Sequence, residues 1–234
     1  MTEIIPSINV KTFEEVEERI ARVEPYVKWC HLDVTDGIFS SHETWRNPKD
    51  LLGLETNLNI EVHLMVSNPD EVIDDWLTPQ VHPVRSPMPS ASADASRRLT
   101  SNGVKRIIVH AEAVKDFNLI LEKCRDRGIE FGIAVNPETP IEAFGPYIGK
   151  ADIFLFLAVK PGPSGQAMHP NTAGKITSFR KSCAECIIEV DGGVNPETAK
   201  KVIETGANFL VSGNYIFGSS NIESAIESLK LQLQ

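Results

Sequence analysis

Two titratable side chains interrupt an otherwise apolar run, WCHLDVTDG (29–37). Residues i and i+2 of a strand point to the same side, so His31 and Asp33 share one face. A buried face tolerates such groups only when each has a partner. Similar residues end other apolar runs: Ser7 in EIIPSINV, His63 in LNIEVHLMV, His110 in VKRIIVHAE, Asp191 in CIIEVDGG and Gly213-Asn214 in NFLVSGNYI. A single His or Asp at a strand end is more often a hydrogen-bonded structural residue. His31, Asp33, His63 and Asp191 together offer nitrogen and oxygen donors of the sort that suit Zn²⁺, Fe²⁺ or Mn²⁺. His110 reads as a packed or substrate-lining histidine rather than a ligand. His42, His82 and His169 fall in loops, where no specific role is expected.

A second group of residues is glycine-rich. KPGPSGQ (160–166), DGGV (191–194) and SGNYIFG (212–218) follow three successive apolar runs. Glycine lets a backbone approach a ligand closely, and backbone N–H groups with a helix N-terminus can hold a phosphate dianion. No basic cluster is needed for that.

The elements that would position these groups alternate along the chain. The eight apolar runs are separated mostly by amphipathic helical stretches such as TFEEVEERIARVEPY, FNLILEKCRDRG and PETAKKVIETG, and NIESAIESLKLQ reads as a final helix. Near-continuous apolar strands are expected when both faces of a parallel sheet are covered. Asn68-Pro69, Asn136-Pro137 and Asn195-Pro196 each follow a strand and read as helix starts, Asn capping the free N–H groups and Pro needing none. The pattern predicts an α/β fold, a (β/α)₈ TIM barrel, formed as one domain over 1–234. Strand C-terminal ends then form the working face. An open doubly wound sheet is the alternative, but no GxGxxG follows the first strand. Residues 78–101, rich in Pro and Ser, read as an insert between the third helix and the fourth strand.

Composition narrows the function classes. The 234 residues are 41% hydrophobic and 24% charged, ordinary for a globular protein. A net charge of −9 argues against a nucleic-acid or anionic-membrane partner. No apolar run approaches the ~18 residues of a membrane span. MTEIIPSINV lacks the basic start of a secretory signal, so a cytoplasmic location is the expectation. Four cysteines are too few for a disulfide framework, and Cys183-x-x-Cys186 lacks the second pair a zinc site would want. They are expected to be structural or incidental thiols.

The motifs PSI, HLDVTDG, EVHLMVSNPDEVI, GIAVNPETPIEA, VKPGPSGQ, IEVDGGVNPETA and GANFLVSGNYIFG occur in an order that resembles the ribulose-phosphate 3-epimerase family, over about residues 3–228 without the insert. The resemblance implies a TIM barrel that interconverts D-ribulose 5-phosphate and D-xylulose 5-phosphate in the pentose phosphate pathway. It implies one divalent ion (Zn, Fe, Mn or Co) on His31, Asp33, His63 and Asp191, with Asp33 and Asp191 also exchanging the proton. It implies substrate contacts from Ser7, His63 and Met65, a closing loop carrying Gly162 and Gly165, and a phosphate site of Gly192, Gly193, Gly213 and Asn214. Members are often oligomeric, so self-association is a further expectation. Several positions depart from the family: Thr35 and Leu157 stand for Met, Pro163 and Ser164 for Phe and Gly, Asn9 for Leu and Asn214 for Ser. These bear on substrate choice, with an allulose 6-phosphate-type epimerase as a close variant. A phosphate-barrel lyase, for which Lys160 is the one candidate lysine, and a non-catalytic sugar-phosphate binder are the other readings.

Overall fold

The structure, a computed structural model, describes residues 2–77 and 103–233, so the 78–101 insert lies outside the described residues. Eight strands run parallel: β1 Glu3–Ile8, β2 Trp29–Thr35, β3 Asn59–Met65, β4 Val104–His110, β5 Glu130–Val135, β6 Ile153–Leu157, β7 Ile188–Asp191 and β8 Phe209–Ser212. They pair in chain order and close where β8 meets β1, which gives the barrel rather than the open sheet.

The helices are α1 Phe13–Val23, α2 Pro69–Leu77, α3 Phe117–Arg125, α4 Thr172–Ser182, α5 Pro196–Glu204, α6 Asn214–Phe217 and α7 Ile222–Lys230. Thr12 and Glu15 close a capping box on α1, whose Val16, Ile20 and Val23 form the buried stripe. Asn195 caps α5 ahead of Pro196, and α2 likewise begins at Pro69. Asn136-Pro137 departs from that expectation. It opens a turn, and the 3₁₀ segment Ile141–Tyr147 follows. Pro146 lies inside that segment, where it cannot donate to an α-helical ladder. NFLVSGNYI also divides, its strand ending at Ser212 and its last residues entering α6.

Strand alternation sorts the core into two shells. Cys30, Leu32, Val34, Ile60, Val62 and Leu64 belong to the large apolar shell that the helices cover. Their neighbours face the barrel interior, where Met65, Ile108, Ala134, Ile153, Leu155 and Leu157 pack together. Each fully buried Leu or Ile contributes about 1.5–3 kcal/mol. Gly132 makes that interior possible, because a Cβ there would meet Ile108 Cγ1 at 2.6 Å and Ile153 Cγ2 at 2.7 Å. The interior also holds polar groups: Ser7, His31, Asp33, Glu61, His63, Arg106, His110, Glu189 and Asp191 are all buried.

The cysteine expectation needs one correction. Cys183 and Cys186 form a disulfide, since the turn that ends α4 brings their Cα atoms to 5.4 Å. Cys30 and Cys124 are buried thiols. Among the described residues, no helix is long and apolar enough to cross a membrane.

Candidate active site

β2, β3 and β7 bring four donors to one point. His31 Nε2, His63 Nδ1 and one oxygen each from Asp33 and Asp191 all lie within 4.8 Å of one another. His31 Nε2 stands 3.2 Å from His63 Nδ1 and 3.2 Å from Asp33 Oδ1. His63 Nδ1 is 3.6 Å from Asp33 Oδ1, while Asp191 Oδ2 is 3.6 Å from His63 Nδ1 and 3.9 Å from His31 Nε2. Donors about 2.0–2.2 Å from a shared tetrahedral centre would stand about 3.3–3.6 Å apart. The spacing therefore fits a metal ion.

The neighbours of the two imidazoles fix which nitrogens carry protons. His31 Nδ1 lies 2.5 Å from Glu61 Oε1, so its proton points at that carboxylate and Nε2 presents a lone pair. His63 Nε2 lies 2.9 Å from His110 Nε2, and His110 Nδ1 lies 3.3 Å from Glu112 Oε2. With His110 protonated toward Glu112, His63 donates from Nε2 and turns its Nδ1 lone pair inward. These tautomers are assigned from the hydrogen-bond network. Four lone pairs then converge with no proton among them, and the buried Asp33 Oδ1 has no hydrogen-bond partner despite the nearby imidazole.

The local field points the same way. Burial alone would lower the His31 pKa, but Asp33, Glu189 and Glu61 outweigh it and push the pKa well up. Burial works against the Asp33 carboxylate too, yet both imidazoles hold its pKa low. The site thus calls for positive charge. Burial, helped by the neighbouring His63, brings His110 down to about 4, which suits a neutral acceptor. Burial and the charge of Glu61 push Glu189 up to about 7, whereas His31 and Arg106 overcome burial and keep Glu61 low.

Above the four donors opens a cavity of about 430 Å³, whose lining includes Asp33, Met65, Leu157, Asp191 and the 159–168 loop. Gly162, Gly165, Gly192, Gly193, Gly213 and Asn214 also line it. Ser7, His31 and His63 stand behind that wall, and Ser7 Oγ donates to Asp33 Oδ2 at 2.6 Å. Of the family departures, Asn9, Leu157, Pro163, Ser164 and Asn214 reach the wall, while Thr35 is fully buried behind it and its N–H donates to Thr44 Oγ1. Asp36, where the opening motif breaks, has a structural task. It accepts from the N–H groups of Ile38, Phe39 and Ser67 and ties two loops together.

Sequence reasoning assigned no role to His42, yet its Nε2 lies 2.9 Å from Asn9 Oδ1. The Asn9 amide donates in turn to Asp33 Oδ2 and to the Gly162 carbonyl, both at 3.3 Å. This amide links the loop to the carboxylate. Asn9→Leu should keep the fold and lower kcat by roughly the tenfold that loss of about 1–1.5 kcal/mol of hydrogen bonding allows, as steady-state rates would show. An unchanged kcat would mean that the link is idle.

Glu61, Glu189, Arg106 and Glu112 were not singled out from sequence. A signal was there for two of them. Glu61 precedes His63 by two residues and Glu189 precedes Asp191 by two, the same spacing that drew attention to His31 and Asp33.

Barrels of the same architecture appear among solved structures. A 3-hexulose-6-phosphate synthase superposes with a TM-score of 0.66 at 12% identity, over 99% of each chain. Orotidine 5'-phosphate decarboxylase from Pyrococcus horikoshii OT3 does so at 0.62 and 13%, over 98% of each. Likeness at that identity defines the class, a TIM barrel, and nothing finer. Sequence comparison goes further. The ribulose-phosphate 3 epimerase family model matches residues 3–85 and 88–217. The chain is 33% identical to the chloroplastic ribulose-5-phosphate-3-epimerase of Arabidopsis thaliana, over 97% of this chain and 75% of that one. It is 32% identical to the ribulose-phosphate 3-epimerase of Bacillus subtilis strain 168, over 98% and 99%. The chain belongs to the ribulose-phosphate 3-epimerase family, whose named members are isomerases.

Proposed function

We propose that this protein epimerises C3 of a ketose phosphate, D-ribulose 5-phosphate to D-xylulose 5-phosphate, with one divalent ion held by His31, Asp33, His63 and Asp191. The observation that carries this reading is the convergence of two carboxylates and two imidazole lone pairs at the floor of a cavity rimmed by glycine turns. The ion, one of Zn, Fe, Mn or Co, would act as a Lewis acid toward the oxygens at C2 and C3.

The residues divide the remaining work. Asp33 and Asp191 come from β2 and β7, which have β1 and β8 between them, so the carboxylates enter the cavity from separate walls. A carbonyl acidifies the hydrogen on the adjacent carbon, and its removal by a carboxylate, with the developing oxyanion stabilised, leaves a planar enediolate. One aspartate takes the C3 proton and the other returns one to the opposite face, which inverts the centre; the reverse direction swaps their roles. Asp33 Oδ2, directed by Ser7, is the atom that exchanges the proton on its side. Gly192, Gly193, Gly213 and Asn214 hold the phosphate. Met65 and Leu157 supply apolar wall beside the reacting carbons. A sugar phosphate is the partner class, self-association follows family habit, and a cytoplasmic location suits a metabolic epimerase.

The test follows ribulose 5-phosphate in D₂O with metal-loaded and chelator-stripped protein. Loaded protein should place deuterium at C3 and yield xylulose 5-phosphate, and stripped protein should do neither. Activity confined to allulose 6-phosphate would move the substrate to the hexulose variant. Carbon–carbon cleavage would favour a lyase, and ligand-induced stabilisation without turnover would favour a binder.

A further inference from the structure

A second layer of buried charge lies beneath His31, where no substrate reaches. Strand register sets Glu61 beside His31 and Arg106 beside Glu61, and β7 contributes Glu189. Glu61 Oε1 meets His31 Nδ1 at 2.5 Å, and its other oxygen pairs closely with Arg106 Nη1. Glu189 stands 3.5 Å from His31 Nδ1 and 3.6 Å from Arg106 Nη1. His31, Glu61 and Glu189 are spaced closely enough to hold a cation of their own. The guanidinium supplies that charge.

Arg106 has little freedom to do otherwise. Its far edge reaches Glu130 Oε2 from Nε at 2.8 Å and from Nη2 at 2.7 Å. The Trp29 ring centroid lies 4.5 Å from its Cζ and that of Phe209 5.2 Å. Only 4% of the residue is exposed. A planar fork gripped at both edges and packed against two aromatic rings is a rigid support. If Arg106 served only to neutralise charge, a loose contact with either glutamate would suffice.

We propose that Arg106 is a positioning residue for the metal centre: it braces the Glu61 carboxylate against His31 Nδ1, which keeps the His31 proton on that nitrogen and the Nε2 lone pair aimed at the ion. This rests on the metal-dependent reading above and adds a residue two contacts removed from the ligand itself. Carboxylates that orient a ligating histidine change metal affinity by about 10–100-fold when removed.

The test compares the wild type with Arg106→Gln, Arg106→Lys and Glu61→Gln. Zn²⁺ affinity is read by competition with a chromophoric chelator, each protein being held below its own melting temperature. The His31 tautomer is read independently from ¹⁵N shifts of the metal-free proteins, at a pH high enough that the ring carries a single proton. Arg106→Gln and Glu61→Gln should weaken Zn²⁺ binding by 10–100-fold and turn a single Nδ1–H form of His31 into a mixture, with Arg106→Lys intermediate. Should Arg106→Gln fail to fold, the other two variants carry the comparison. Variants that melt lower but keep wild-type affinity and a single tautomer would overturn the proposal and leave Arg106 a structural residue. A wild type that binds no Zn²⁺ would count against the metal reading instead, and the nitrogen shifts would still decide whether Arg106 sets the tautomer.

Discussion

Asp33→Asn and Asp191→Asn should each stop the conversion of ribulose 5-phosphate, and whichever removes the base facing its C3 hydrogen should also abolish solvent-deuterium exchange there. An amide cannot accept a proton from carbon, and a positioned acid or base contributes about 10²–10⁴-fold. Inversion needs both partners, so either single change should stop net turnover by at least that factor. Both residues also belong to the candidate ligand set, within 4.8 Å of the imidazole nitrogens, so bound metal must be measured in the same samples. A variant that keeps its metal and loses exchange isolates the proton-transfer role. Normal exchange in both variants would remove the two-carboxylate mechanism, whatever the metal does.

Gly193→Ala should have the next largest effect, on phosphate binding and on folding together. Gly193 has φ +68°, where an L side chain is strained by about 1–2 kcal/mol. Space decides the matter more firmly. A Cβ there would lie 2.3 Å from the backbone nitrogen of Met168 and 2.7 Å from its Cα, and backbone cannot swing aside as a side chain tip can. The turn after β7 would have to part from the segment after β6, and the two together wall the cavity. We expect a melting temperature several degrees lower, consistent with the about 2–4 °C per kcal/mol of a chain this size. KM for the sugar phosphate should rise at least tenfold. Gly192→Ala offers a graded comparison, because its nearest obstruction is the Val159 side chain at 2.5 Å. An unchanged KM in Gly193→Ala would place the phosphate elsewhere.

Much of this protein was legible in its sequence because the signals are local. Strand alternation placed His31 and Asp33 on one face, and the same two-residue period applies to Glu61 with His63 and to Glu189 with Asp191. Asn-Pro pairs marked the starts of α2 and α5 through backbone groups a few residues away. Runs apolar on both faces announced a covered parallel sheet. Where a local rule met a competing local rule it failed, as at Asn136-Pro137, where Pro146 blocks the helix that the first pair invites.

Only the closed barrel decided what met what. Register across β2, β3 and β4 stacks His31, Glu61 and Arg106 in a row, and closure brings Glu189 and Asp191 from β7 to the same axis. The proton positions on His31 and His63 follow from partners 30 and 47 residues away. No periodicity encodes such pairings, because loop lengths and the stagger of eight strands set them. The contact of His42 with Asn9 was hidden for the same reason, each residue being unremarkable in its own segment. Chain-local chemistry chose the groups and their faces, and the tertiary fold chose their neighbours, through which burial and charge set how each one behaves.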